Sequence, residues 1–265
     1  MKHLRTLVIV IVALAVSHNA MAWGKWGHRI GAYIAEQHLT EKANSECRRY
    51  LKHSLPYFSS WQDYWRNCDG FKEMTHWHSN YLNPDNTVGG KKGVPTRDAS
   101  YQIARIVKEM EGGKYRNLPD SIVMDNLKLL IHMVVDMHCP SHTNYHKDTG
   151  YPLKKPIYVN GKKYARHTFW DASPQLLHPK WKIERFQKEY DTYSAKQIKK
   201  IVKGDPTKWV AQNVVKLRPT FDMYGEGQHF ESLSKKQLAD IEAIMSEQLA
   251  YAGYRLSHIL NEIFK

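Results

Sequence analysis

Beyond Val16 the sequence has no long apolar run. Nothing later approaches the roughly 20 apolar residues a helix needs to cross a bilayer. That excludes a bundle of membrane-spanning helices, and with it stable insertion of the main body of the chain. Cysteine is scarce: Cys47, Cys68 and Cys139 are the only 3, enough for one internal disulfide with a thiol left over. A disulfide-built scaffold is therefore excluded, and 265 residues can bury an adequate core without one. Acidic residues are in deficit, 26 against 39 Lys and Arg, for a net charge of +13. Such a balance favours polyanionic partners or anionic surfaces over cationic ones. No Asn-x-Ser/Thr acceptor occurs, which excludes N-glycosylation. Internal repeats, low-complexity tracts and linkers are also missing, so one domain accounts for the chain.

What is present begins with an export signal. Lys2 and Arg5 give a basic start, Leu7 to Val16 form the apolar run, and Ala20-Met21-Ala22 place small residues where a signal peptidase reads them. We read residues 1–22 as a signal peptide and residues 23–265 as the mature domain, exported to the periplasm or the medium, with Trp23 first.

The mature chain is mainly α. Leu127, Leu129, Leu130, Ile131, Val134 and Val135 predict a largely buried helix from Asp125 to Met137, with Pro140 as its stop. Ser234 and Gln237 form a capping box ahead of a long apolar pattern running from Leu238 to Ile263. Asp205-Pro206 reads as an N-cap followed by proline at the first helical position. One β element interrupts this pattern: Ile157 to Val159 and Lys162 to Tyr164 flank Asn160-Gly161, the signal of a tight hairpin. Asn83 to Pro95, rich in Gly, Pro and Asn, reads as a surface loop. The basic run Lys196 to Lys203 reads as a solvated helix face or as a nucleic-acid track.

Two motifs carry chemistry. His132 and Asp136 stand four apart, so on a helix they project from one face, and His142 follows beyond Pro140. The positions around them are strongly apolar, and a buried charge needs a partner or a metal. Imidazole nitrogen with carboxylate oxygen is a donor set that zinc favours. His167 and Asp171 repeat the same spacing after the hairpin, and two such pairs in one chain point to a multi-metal site. His138 reads as a support for the site, and His146 and Asp148 as solvent-facing loop residues.

These motifs belong to a longer ordered set. Trp23 is followed by His28, then by Trp61, Asp63 and Arg66 as Trp-x-Asp-x-x-Arg, and then by His78 after Trp77. His132, Asp136, His142, His167 and Asp171 come next, and the tail runs Ala252-Gly253-Tyr254-Arg255-Leu256 to Leu260-Asn261. In this order the sequence resembles the S1/P1 nuclease family, related in fold to the zinc-dependent phospholipases C, over essentially the whole mature chain.

The resemblance implies a mainly α, single-domain fold and a cluster of three Zn2+ ions. Asp63, His78 and His132 would bind one ion, and Asp136 would bridge it to a second held by His28 and by the amine and carbonyl of Trp23. His142, His167 and Asp171 would bind the third. It further implies hydrolysis of single-stranded DNA or RNA to 5′-phosphorylated products, with 3′-nucleotidase activity, through a metal-bridging hydroxide, by a monomer. Asp63 and Asp136 then serve catalysis as ligands, and Arg66, otherwise readable as a structural ion pair, becomes a phosphate clamp.

Some positions depart from the family pattern. His76 and His78 both flank Trp77, and spacing from Asp63 favours His78. Ser79 and Tyr81 stand where the family carries base-binding residues, so Tyr81 is a stacking surface or ordinary packing. Cys139 and Ser141 replace a glutamine and a leucine, and Gln212-Asn213 replaces Glu-Ser. A phospholipase C and a non-catalytic zinc- or nucleic-acid-binding protein are the rival readings; no amphipathic segment suited to docking on a bilayer supports the former.

Overall fold

A computed structural model describes residues 23–82, 98–144 and 155–265. The signal segment 1–22, the Asn83 to Pro95 loop, and His146 and Asp148 lie outside the described residues. In chain order the helices are α1 (Lys25–Gln37), α2 (Glu41–Leu51), α3 (Leu55–Phe58), α4 (Trp61–Trp65), α5 (Ala99–Met110) and α6 (Asp120–Asp136). They continue with α7 (Arg166–Leu177), α8 (Ile183–Tyr190), α9 (Ala195–Ile201), α10 (Pro206–Leu217) and α11 (Lys235–Ile263). Short 3-10 helices, among them Lys72–His76, and two short pairings complete the described elements: β1 (Asn80–Tyr81) lies parallel to β2 (Thr143–Asn144), and β3 (Ile157–Val159) is antiparallel to β4 (Lys162–Tyr164). None of the described helices is long and apolar enough to cross a membrane.

Local chemistry sets the helix starts as the sequence predicts. Asp205 accepts from the Lys208 N–H, with Pro206 at the first helical position of α10. Ser234 and Gln237 close a capping box on α11; a second box, Ser194 with Gln197 on α9, was not anticipated. In the hairpin Asn160 and Gly161 both take positive φ, 48° and 74°, the two-residue turn whose twist matches the strands. Helix α6 begins at Asp120, ahead of the expected Asp125, and ends at Asp136, within one residue of the expected Met137 and before Pro140. There the His138 and Cys139 N–H groups bond to Val135 and Asp136, three residues back, winding the chain into tight turns. The β1–β2 pairing was not anticipated, because two residues carry no periodicity to read. Cys47, Cys68 and Cys139 are all free thiols.

Two apolar clusters form the core. One gathers residues of α2, α5, α6 and α10, the other residues of α7, α8 and α9, and α1 and α11 contribute to both. The crossing of α1 with α11 is close because Gly253 of α11 faces Ile34 and the Gly31 carbonyl of α1. A Cβ on Gly253 would fall 2.7 Å from the Ile34 Cβ and 3.1 Å from the Gly31 carbonyl oxygen. This gives the Ala252-Gly253 tail its physical reason. Gly253→Ala should therefore destabilise the fold by about 1–3 kcal/mol, the usual cost of overpacking. Urea unfolding checks it, and an unchanged midpoint would show that the crossing relaxes freely.

A second tie joins the same helices. Asp191, after α8, accepts from Tyr254 Oη at 2.6 Å, Gln187 Nε2 at 2.8 Å and His38 Nε2 at 2.9 Å. Burial alone would raise its pKa, but the bonds from Tyr254, Gln187 and His38 outweigh it and hold the carboxyl below the ordinary 3.8. A depressed carboxylate stabilises the fold above its unfolded pKa, and the contribution fades as pH falls through the folded value. Asp191→Ala should cost about 1–3 kcal/mol at neutral pH. The gap to the parent protein should narrow as pH drops below 3.8, measured by thermal unfolding across pH; a gap independent of pH would refute the charged role.

Candidate metal centre

The ligand-type residues named from sequence come from separate elements and meet in one cluster, buried except at His167, whose side chain is 40% exposed. Helix α1 carries His28, α4 carries Asp63 with Arg66 at its end, and the turn before β1 carries His78. Helix α6 presents His132 and Asp136 one turn apart, the turn after it presents His142, and α7 presents His167 and Asp171.

Asp136, fully buried, lies at the middle. Its Oδ1 is 2.9 Å from His28 Nε2, and its Oδ2 is 2.8 Å from His78 Nδ1 and 3.1 Å from His132 Nε2. Asp63 Oδ1 stands 3.8 Å from both His78 Nδ1 and His132 Nε2. The His28 and His132 rings stack with centroids 4.1 Å apart. Trp23 is fully buried, with its carbonyl oxygen 2.5 Å from His28 Nδ1 and its main-chain N–H bonded to the Cys139 sulfur.

A second group adjoins the first. His142 Nε2 is 2.8 Å from His167 Nε2, which lies 3.5 Å from Asp171 Oδ2. Asp171 Oδ1 faces Ser141 Oγ at 3.3 Å and Cys139 Sγ at 3.8 Å, so both donors hold that oxygen and leave Oδ2 turned to the imidazoles. Arg166 braces α7 by donating to the Pro140 carbonyl at 3.1 Å and to Thr220 Oγ1 at 2.7 Å, fixing His167 against His142.

Main-chain carbonyls decide which way the rings face. His132 Nδ1–H donates to Ser59 O at 2.7 Å, and His142 Nδ1–H to His78 O at 2.6 Å, so each points Nε2 into the pocket. The β1–β2 pairing holds the second of these, since Asn80 N–H donates to His142 O at 2.8 Å. Sequence reading did not find Ser59 or the His78 carbonyl, because any residue can supply a carbonyl. It marked Cys139 and Ser141 only as departures from the family pattern.

The remaining named residues fall outside the cluster. His138 turns away, donating from Nδ1 to Val134 O and accepting from Arg255. His76 is partly exposed on a one-turn helix, whereas His78 is buried in the cluster. Tyr81 is half-buried on β1. Arg66 reaches Asp63 Oδ1 at 3.2 Å, both readings of that residue remaining compatible with its place beside the cluster.

The electrostatics ask for positive charge. Burial depresses His78, His142 and His167 each to about 4, so these rings are neutral donors at neutral pH. Burial would depress His132 too, but the Asp136 and Asp63 carboxylates outweigh it and lift that ring to about 9. Burial also works to raise Asp136, yet His132, His142 and His28 hold it well below the usual carboxylate range. Asp171 is pushed well above that range by burial, then by Asp136 and Asp63. Both Asp63 oxygens, Asp171 Oδ2 and His78 Nε2 are buried without a well-formed hydrogen bond. Leaving one such group unpaired costs about 1–3 kcal/mol, more for a charge. Three sets meet the spacing of a metal site: His28, Asp63 and His132; His78, His132 and Asp136; Cys139, His142 and Asp171. A borderline cation that accepts nitrogen and oxygen donors fits these residues.

Residues 23–265 match the S1/P1 Nuclease family, and the chain belongs to it. It is similar to Nuclease S1 of Aspergillus oryzae, 24% identical over 182 residues that cover 64% of this chain and 60% of that protein. It is also similar to Endonuclease 2 of Arabidopsis thaliana, 24% identical over 305 residues covering 99% of this chain and 97% of that one.

If cations occupy this pocket, stripping them should soften the whole fold. A ligand at 1,000 times its Kd stabilises the native state by about 4 kcal/mol, which for a chain of this size is roughly 8–16 °C in Tm. Calorimetry before chelation, after chelation and after zinc is restored measures the shift; an unchanged Tm would remove the metal reading.

Proposed function

We propose that this chain is an exported zinc-dependent nuclease that hydrolyses single-stranded DNA or RNA to 5′-phosphorylated products and also acts as a 3′-nucleotidase. The observation that supports it most is Asp136, a buried carboxylate shared by imidazoles from α1, α6 and the turn before β1, in a chain whose relatives are named as nucleases. Three zinc ions would be held by Asp63, His78 and His132, by Trp23 and His28, and by His142, His167 and Asp171, with Asp136 shared between the first two. Zinc in such sites lowers the pKa of water and offsets charge on phosphate oxygens.

The protein's own side chains would then do the rest. Arg66 lies beside Asp63 at the end of α4, where a guanidinium can hold two phosphate oxygens as negative charge grows on them. Ser141 and Cys139 keep one oxygen of Asp171 occupied, so that carboxylate offers a single oxygen in a fixed direction. Tyr81, half-buried on β1, would offer a ring for a base to stack on. Export and assembly would be coupled: the Trp23 nitrogen is an amine only after residues 1–22 are removed, and Trp23 is buried with its carbonyl beside His28.

The test uses chain beginning at Trp23 beside chain carrying one extra N-terminal residue, with zinc counted on both. The Trp23 form should cleave single-stranded DNA, and the extended form should lose zinc and most activity. Arg66→Ala should keep its zinc and lose about 100- to 1,000-fold in kcat. No cleavage by a zinc-loaded Trp23 form would reject the nuclease reading and direct attention to phospholipid substrates.

A further inference from the structure

Helix α9 carries a charge pattern that the metal centre does not use. Lys196, Lys199 and Lys200 recur at helical spacing on α9, Lys203 follows just past the helix end, and all four are exposed and line one cleft. Ile198 and Ile201 pack into the second core cluster, and Val202 packs against it while also facing the cleft. The lysines line an open cleft of about 580 Å³ together with Val202, Gly204 and His258 of α11. It shares no residue with the metal centre.

Like charges one turn apart destabilise a helix, and this row has no counter-charge. Among the described residues no carboxylate forms an ion pair with any of the four. The acidic residues that border the cleft are already engaged: Asp205 caps α10 and pairs with Lys208, and Glu262 pairs with Lys265. Four cations lining one cleft can neutralise about three phosphates of a strand.

The row is also held in fixed register with α6. Arg255 donates from Nε to the Ile201 carbonyl of α9 at 3.1 Å and from its guanidinium to His138 Nε2 at 2.8 Å, two residues beyond Asp136. No large apolar side chain is exposed on α9, so the segment lacks what a membrane-docking helix inserts into lipid.

We propose that this cleft is a second binding site for the phosphate backbone of single-stranded nucleic acid, holding a long strand while its scissile bond lies at the metal centre. The proposal rests on the nuclease reading for its purpose but not for its test.

The zinc-loaded chain beginning at Trp23 is compared with a Lys196→Gln, Lys199→Gln, Lys200→Gln, Lys203→Gln variant, using a fluorescent phosphorothioate 20-mer that resists cleavage. Affinity in low salt should fall at least tenfold. The slope of log K against log salt should shrink by about 2, since each phosphate of a single strand that is no longer neutralised removes about 0.7. A Lys196→Gln, Lys199→Gln double variant should show about half that change, and both should unfold no lower than the parent, since like-charge repulsion is relieved. Dinucleotide hydrolysis should be unchanged, while KM for long strands rises. Equal affinity and equal salt slope in parent and variant would overturn the proposal. So would loss of binding to vesicles of anionic phospholipid with oligonucleotide binding intact, which would assign the face to a membrane. A parent that binds the 20-mer through these lysines yet cleaves nothing would sink the nuclease reading and leave the cleft standing.

Discussion

A single buried carboxylate organises the molecule. Asp136 has no access to solvent, so its charge must be met from within, and His28, His78 and His132 meet it from three directions. Each partner comes from a different part of the chain, and each must be carried in by its own packed element. Much of the core can be understood as the means of holding those elements in place. A buried charge met incompletely costs several kcal/mol, so the positions of α1, α6 and the turn before β1 are coupled to one another through this one side chain.

The frame that holds them is built on close approach. Gly253 lets α11 seat against Ile34 and the Gly31 carbonyl of α1, and Gly31 admits Val135 of α6, which holds α1, and with it His28, against the end of α6. Asp191 ties α11 to the C-terminal end of α1 through Tyr254 and His38. Arg255 adds a third brace: a buried guanidinium, lowered by burial to about 9, that donates to the Ile201 carbonyl, His138, Asn213 and Gln212. Its partners include the Gln212-Asn213 pair, a departure from the family pattern that here satisfies a buried cation with neutral oxygens.

Much of this was legible in the sequence, and the reasons differ by residue. His132 with Asp136, and His167 with Asp171, are visible because helical spacing alone puts each pair on one face. The hairpin is visible because Asn-Gly admits the two positive φ angles its turn requires. His28, Asp63 and His78 are isolated in sequence, and no local spacing links them to the rest; only the ordered resemblance to a family did. The β1–β2 pairing left no trace, because it is set by partners more than fifty residues apart.

The sequence by itself determined the donor chemistry, the phase of each helical pair and the caps that start α9, α10 and α11, since these follow from neighbours within a turn or two. Tertiary structure alone decided which imidazole nitrogen enters the pocket and which oxygen of Asp171 remains open. Those choices rest on the carbonyls of Ser59 and His78 and on the hydroxyl and thiol of Ser141 and Cys139. A main-chain carbonyl is common to every residue, so its orientation carries no signature in sequence; it becomes specific only when the fold aims it.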